Sequence, residues 1–129
     1  MTKLEKEKFH GKFYEAEIGV IESTFLGIED HGILTFIIYL KFEGSGQGAG
    51  TYSLDGYDKT LGKRVGSPAM AVVIRSILET VGVDSWEELK GKRVVALREE
   101  SYGPIKGLTN LPPDKTRYTI FEEIFAANK

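Results

Sequence analysis

Two basic side chains stand next to the predicted start of a helix, which makes this segment a candidate anion site. Lys63 and Arg64 close a turn-rich stretch that ends at Gly66. Ser67-Pro68 then supplies an N-cap residue and a proline for the first helical position. Because a helix N-terminus carries unpaired N–H groups, Lys63, Arg64, Gly66 and Ser67 could bind phosphate. The alternative is that these are ordinary solvated cations on a surface loop.

Two glycine-rich segments resemble nucleotide-binding loops but lack their required spacing. Residues 56–64 have one residue too many between the glycines for a P-loop and lack Ser or Thr after the lysine. Residues 44–50 place glycine at every second position and lead into a strand instead of a helix. Alternate glycines leave one strand face without side chains. That face could contact a ligand, or it could pack against a covering element or a second subunit.

Three further side chains have both a binding and a structural interpretation. Arg75 borders the apolar face of the predicted helix, where it could meet a phosphate or simply extend to solvent. Tyr102 lies in a predicted hairpin turn, where an exposed ring could stack on a base. Asn110, near a strand end, could hydrogen-bond the edge of a purine or cap the turn before Pro112.

The sequence lacks the usual residue sets for nucleophilic, metal or dehydrogenase chemistry. It contains no cysteine and two histidines, His10 and His31. Glu29-Asp30-His31 precedes a glycine, which a hairpin turn explains, and we expect His10 to lie in a frayed segment. We therefore expect a binding protein and not an enzyme, with no catalytic residues, no metal and no cofactor.

Composition indicates one small cytoplasmic domain. The chain has 129 residues and a formal net charge of −2, so it offers no general attraction to nucleic acid or to anionic membranes. The longest apolar run, residues 33–40, is too short to span a bilayer. Residues 1–8 carry alternating charges and no apolar segment, so we expect no signal peptide. We expect a flexible lead-in over residues 1–13 and a single ligand-binding domain over residues 14–129.

Hydrophobic periodicity predicts an α+β fold, with a mainly antiparallel sheet, one principal helix on one face and a short C-terminal helix. Residues 118–127 fit helical spacing better than strand spacing, although either is compatible with the pattern. The predicted strands are a long, bulge-prone strand over 14–28, its hairpin partner over 33–43, and shorter strands over 51–54, 93–99 and 104–111, the last at a sheet edge. The predicted helical segments are 68–81 and a short capped turn at 85–88, and residues 55–66 form a loop.

Residues 21–35, 44–55 and 83–92 together resemble a family of small bacteriophage and prophage proteins, which we identify as the first-described Thoeris anti-defence "sponge" family. The distinctive blocks are Glu29-Asp-His-Gly and Gly44-Ser-Gly-Gln-Gly, and the resemblance covers roughly residues 16–111. Beyond Pro112 the chain departs from the family pattern. The resemblance implies a non-catalytic receptor that acts in the cytoplasm of the infected bacterium.

The same resemblance implies a ligand, an assembly and three contacts. The ligand would be a cyclic ADP-ribose isomer derived from NAD, and some family members also hold cyclic oligonucleotides. The proteins assemble as dimers or as hexamers built from dimers, with ligand pockets between subunits. Arg75 matches a ligand-binding arginine, Tyr102 falls near an adenine-stacking aromatic, and Asn110 falls near a polar contact. A nucleotide-processing hydrolase and a protein inhibitor of a host defence enzyme are the alternatives.

Overall fold

The structure is a computed structural model that describes residues 3–129, and the predicted α+β fold is confirmed. Most strands form one antiparallel sheet. A principal helix and a short C-terminal helix pack against this sheet and contribute to the same core cluster. The elements are β1 (Lys3–Phe9), β2 (Lys12–Ile28), β3 (Leu34–Phe42), β4 (Ser45–Ser53), β5 (Asp55–Asp58), β6 (Lys63–Gly66), α1 (Pro68–Val81), a 3₁₀ turn (Trp86–Leu89), β7 (Arg93–Arg98), β8 (Ile105–Thr109), β9 (Tyr118–Ile120) and α2 (Phe121–Ala127).

The long strand β2 organises the sheet. The strand order is β4-β3-β2-β7-β8-β9, β1 also pairs with β2, and β5 and β6 form a separate hairpin. The bulge anticipated in β2 is present, because its pairing with β3 shifts register between Ile21 and Ser23. The turn between β2 and β3 is held by Glu29, whose carboxylate accepts hydrogen bonds from the amides of His31 and Ile33. The hairpin predicted from residues 29–32 is therefore confirmed.

Apolar side chains on the two sheet faces form two core clusters. On one face, Val73 and Ile77 of α1 pack with strand residues such as Phe36 and Ile38, and Phe121 of α2 joins them. On the other face, the second cluster contains Phe9, Tyr14, Ala16, Val95, Leu97 and Ile120. Burial of apolar surface on both faces is the main favourable term that holds the sheet together.

The flexible lead-in expected over residues 1–13 is wrong for the residues that the structure describes. Residues 3–9 form β1, which pairs antiparallel with β2, and residues 12 and 13 already belong to β2. Phe9 is buried and Leu4 packs beside it, while the charged residues between them remain largely exposed. The alternating Lys and Glu residues hid the strand pattern, because only Leu4 and Phe9 of this segment contact the core. Residues 1–2 lie outside the described range.

Three other element predictions need correction. The strand predicted over 51–54 begins earlier, because β4 has nine residues and includes the glycine run from Ser45 onward. The loop expected over 55–66 contains the β5–β6 hairpin. The predicted edge strand β8 is not at the edge of the sheet, because β9 pairs with its outer side. Residues 118–127 are three strand residues followed by a helix.

The principal helix begins and ends where the sequence predicts. Pro68 occupies the first turn, and Gly82 ends α1 with φ of 87° while its amide donates to the carbonyl of Leu78. Ser67 has the extended backbone of an N-cap, but its hydroxyl does not cap the helix. In the range 3–129, neither helix has the length and apolar character needed to cross a membrane.

Candidate functional site

The residues singled out from the sequence do not converge on one site within the chain. Tyr102 lies in the turn before β8, and Asn110 follows the last residue of that strand. Five strand residues separate the two positions, which corresponds to about 17 Å along the strand. The backbone amide of Asn110 donates to the carbonyl of Arg117 at 3.2 Å. A single small pocket within one protomer therefore cannot include both side chains.

Arg75 lies on the solvent side of α1. Its side chain is 80% exposed, and its Nε lies 3.4 Å from the carboxylate of Glu79 one turn later. Such exposed ion pairs contribute little to stability, so the pair with Glu79 does not fix the position of the guanidinium. The position matches the solvent-directed alternative within one protomer. Contact with a ligand held by a second subunit stays a prediction.

The basic segment before α1 is already engaged in an ion pair. Nη2 of Arg64 donates to Oδ1 of Asp55 at 2.8 Å and to its carbonyl at 3.1 Å, and Nε donates to the same carboxylate. Hydrogen bonding from Arg64 lowers the pKa of Asp55 below its ordinary value. Lys63 and Gly66 are exposed, and the buried hydroxyl of Ser67 has no hydrogen-bond partner. Arg64 thus closes the β5–β6 hairpin instead of pointing to an open anion site.

Tyr102 is a predicted site residue that lines a partly open cleft. Tyr102 is 95% exposed and its backbone has φ of 62°, and the Lys3 ammonium lies 5.5 Å from the centroid of its ring. The cleft encloses about 380 Å³, within the range of small-molecule sites. We call it the Tyr102 cleft; its lining residues are Lys3, Glu17, Glu43, Ser45, Gly46, Gln47, Arg98 and Tyr102.

A buried arginine lies at the inner side of the Tyr102 cleft. Arg98 is only 7% exposed, and its Nη1 donates to Glu17 at 2.8 Å. Nη2 and Nε donate to the amide oxygen of Gln47 at 2.7 and 3.2 Å, and the guanidinium carbon lies 4.8 Å from the centroid of the Phe42 ring. A buried charge is tolerated when it is paired and hydrogen-bonded in this way. The arginine is therefore fixed in orientation before any ligand arrives.

The turn that carries Tyr102 is held on both sides of the tyrosine. Ser101 donates from its hydroxyl to the carboxylate of Glu15 at 2.7 Å, and this hydrogen bond is the main cause of the lowered pKa of Glu15. Gly103 accepts a hydrogen bond from the amide of Gln47 at 3.1 Å through its carbonyl. Positive φ is unfavourable for a tyrosine, so these contacts stabilise a backbone conformation that the residue would not adopt alone.

The alternate glycines of β4 have a packing role and also reach the cleft. Gly48 lies opposite Tyr39, and a Cβ added there would lie 3.3 Å from Ile37 and 3.6 Å from the Tyr39 ring. The missing side chain therefore makes room for two residues of β3. Gly46, by contrast, lines the Tyr102 cleft. The packing interpretation of the glycine run applies at Gly48, and contact with a ligand or with another subunit stays a prediction.

His10 is ordered, which corrects the expectation that it lies in a frayed segment. Its Nδ1 lies 3.0 Å from Glu123, and its Nε2 lies 2.5 Å from the hydroxyl of Tyr118. Burial, with a smaller contribution from Glu123, raises the pKa of Tyr118. These contacts connect the β1–β2 turn with β9 and α2.

His31 makes the local contacts expected of a turn residue. Its ring nitrogen Nδ1 lies 3.2 Å from the carboxylate of Glu29, two residues earlier. Across residues 3–129, no group of three or more His, Asp and Glu side chains is arranged to hold a metal ion.

The sequence contained a weak signal for the residues that sequence reasoning missed. Glu17 occupies a polar position in the alternation of β2, and Arg98 follows four consecutive apolar residues in β7. Gln47 is the only residue with a long side chain in the glycine run. Each would be an unremarkable surface residue in isolation. Sheet pairing brings them together: β2 pairs with β7, which sets Glu15 opposite Arg98, and β3 connects β2 to β4, which carries Gln47.

Comparison with known proteins finds no matching family model, no matching curated protein and no matching solved structure.

Proposed function

We propose that the protein is a non-catalytic receptor that sequesters a small cyclic nucleotide of the ADP-ribose type in the Tyr102 cleft. One observation supports this most directly: an exposed tyrosine ring, a lysine ammonium and carboxylates border the same cavity. Those are the groups that a nucleotide needs, for its base, its phosphates and its ribose hydroxyls respectively.

The chemistry of each group suggests its role in binding. The adenine would stack on Tyr102, a contact worth about 1–3 kcal/mol per base. Lys3 would pair with the pyrophosphate, and the exposed carboxylate of Glu43 would accept hydrogen bonds from ribose hydroxyls. Arg98 and Glu17 neutralise each other, so the pair would contribute shape and polarity and little net charge.

Binding without turnover is favoured because Arg98 and Glu17, two ionisable groups of the cleft, are hydrogen-bonded to each other. Arg98 donates to Glu17 and to Gln47, and arginine does not give up its proton in proteins.

Sequestration of an NAD-derived signal would let a bacteriophage block Thoeris-type immunity in the cytoplasm of its host. Cyclic oligonucleotides are a second ligand class to test, and a dimer, or a hexamer of dimers, is the proposed assembly.

A titration of the purified protein with cyclic ADP-ribose isomers tests the proposal, with NAD and cyclic dinucleotides as further ligands. Binding should raise the melting temperature by mass action, and denatured protein should release the nucleotide unchanged. Tyr102→Ala should weaken binding about ten- to hundredfold, which corresponds to the loss of one stacked base. Tyr57→Ala is the matched control, because Tyr57 is also an exposed tyrosine, on the β5–β6 hairpin.

The result that overturns this proposal is an unchanged melting temperature with every nucleotide tested. Recovery of a cleaved product would instead support the hydrolase alternative. A light-scattering mass of one 14.4 kDa chain at micromolar concentration would remove the proposed assembly.

A second candidate function, inhibition of a host protein by direct contact, is favoured by exposed apolar side chains on β2 and β3. Ile28 is 70% exposed, and it lines a surface depression together with Phe25 and Tyr39, which are also exposed. Contiguous apolar surface of this kind commonly marks a contact site for another protein. A protein inhibitor would show no thermal shift with nucleotides and would co-purify with its target from infected cells.

A further inference from the structure

Gln47 is bonded through both ends of its amide group, and each end serves a different part of the Tyr102 cleft. Its oxygen accepts two hydrogen bonds from the guanidinium of Arg98, at 2.7 and 3.2 Å. Its nitrogen donates to the carbonyl of Gly103 at 3.1 Å. One side chain on β4 therefore links the end of β7 to the turn that carries Tyr102.

The neighbours of Gln47 offer no substitute for these bonds. Gly46 and Gly48 flank it and have no side chains, and Ser45 is too short to span the same gap. Loss of the amide would leave two guanidinium N–H groups and the Gly103 carbonyl without these partners. Arg98 would then keep Glu17 as its charged partner and could reorient toward it.

One side-chain hydrogen bond holds the turn on each side of Tyr102. Ser101 is held to Glu15 before the tyrosine, and Gly103 is held to Gln47 after it. Tyr102 itself is almost fully exposed, so few packing contacts can restrain its ring. The position of the ring relative to Arg98 therefore depends on these two hydrogen bonds, together with the backbone hydrogen bond from Gly103 to Glu100 and the contact of Lys3 with the ring.

We infer that Gln47 is a positioning residue, which sets the orientation of the Tyr102 ring relative to Arg98 and so fixes the width of the cleft. The consequence for ligand affinity rests on the proposed function. The consequence for the turn does not, because it concerns the unliganded protein.

Two substitutions separate the roles of the amide. Gln47→Glu keeps an acceptor for Arg98 but removes the donor to Gly103, and Gln47→Ala removes both. Ser53→Ala is the control, because Ser53 lies on the same strand and also donates to a backbone carbonyl, that of Asp55, away from the cleft. Hydrogen exchange is then followed in the turn at the backbone amide of Gly103, which donates to the carbonyl of Glu100, and at the amides of α1.

We expect both Gln47 variants to exchange about tenfold faster in the turn, while α1 and the Ser53→Ala protein keep parental rates. A turn that exchanges at the parental rate in Gln47→Glu overturns the inference, whatever the ligand is. Faster exchange throughout the protein also overturns it, because that result would indicate a general loss of stability.

Affinity for cyclic ADP-ribose gives an independent readout through a double-mutant cycle. If Gln47 acts through Tyr102, Gln47→Glu should weaken binding in the parent but change it less than about twofold in a Tyr102→Ala background. Fully additive losses would overturn the inference and make Gln47 a direct contact. If the parent binds no nucleotide, the proposed function fails, and the exchange experiment still decides the role of Gln47.

Discussion

The hydroxyl of Tyr118 lies 2.5 Å from Nε2 of His10, so a residue of β9 is joined to the turn between β1 and β2. Tyr118→Phe removes this hydrogen bond and keeps the ring contact with Phe9. We expect a loss of about 0.5–1.5 kcal/mol in the free energy of unfolding, the usual contribution of one hydrogen bond. Urea unfolding measures it, and Tyr57→Phe serves as the control. Identical midpoints for the Tyr118→Phe protein and the parent would show that the tie contributes nothing.

Replacement of Arg98 should be among the most destabilising changes in the cleft. Arg98→Met leaves the largely buried carboxylate of Glu17 without its guanidinium partner. We expect a cost of about 3–5 kcal/mol, the range for breaking a buried pair from one side. The double variant Arg98→Met/Glu17→Gln should recover part of that loss. Chemical denaturation of both proteins checks this, and equal stability of the single and double variants would contradict it.

Acid should weaken the β5–β6 hairpin through Asp55. The hydrogen bond from Arg64 lowers the pKa of Asp55 in the folded protein. A lowered folded pKa gives a stabilisation that is fully present above the unfolded value of about 3.9 and is lost as pH falls through the folded pKa. Asp55→Asn should therefore reduce the pH dependence of stability below about pH 4 and leave its slope near neutrality unchanged. A carboxyl NMR titration of Asp55 with an ordinary midpoint would contradict the assignment.

Nucleotide binding should depend only weakly on salt. Lys3 and Arg98 carry the positive charges of the Tyr102 cleft, and Glu17 and Glu43 offset them. We expect affinity to change less than about threefold between low and physiological ionic strength, because a balanced cleft creates little long-range field. Calorimetric titrations at the two salt concentrations test this. A steep loss of affinity with salt would indicate that the nucleotide binds elsewhere, at a cationic surface without compensating carboxylates.

The glycine of β4 with the least space around it should not tolerate a side chain. Gly50 has φ of 110°, and an added Cβ would lie 2.7 Å from the Phe36 ring and 2.8 Å from its carbonyl oxygen. Gly50→Ala should therefore cost about 1–3 kcal/mol through overpacking and backbone strain. Gly56→Ala is the control, since a Cβ there meets nothing within 4 Å. Thermal unfolding compares the two, and equal melting temperatures would refute the expectation.

Local patterns were sufficient where the deciding contacts are local. The helix α1 has apolar residues at helical spacing, a proline in its first turn and a terminating glycine, all within one short segment. The β2–β3 hairpin has alternating residues on both sides of a turn with Gly32.

Contacts between distant residues explain what could not be predicted. The partners of Arg98 are 81 and 51 positions away along the chain, so the apolar run before it is the one local sign that it is buried, and its partners cannot be identified from nearby residues. The same holds for Lys3, which reaches Tyr102 only because β1 folds back on β2. Tyr102 could be named because exposure in a turn is a local property. The side chains around it could not, because sheet pairing determines which of them meet.

The pairing of β2 also orders the events by which the chain folds. Its pairings with β1 and β3 join neighbours in sequence, and their turns close short loops. Its pairing with β7 joins residues such as Glu15 and Arg98 and must close a loop of most of the chain. Since loop closure costs conformational entropy before distant contacts repay it, the β1–β2–β3 meander should form first and β7 should dock later. Substitutions in the β2–β3 hairpin would then slow refolding, whereas substitutions in β7 would chiefly accelerate unfolding. The Tyr102 cleft, which needs β2, β4 and β7 together, would be completed in the final step.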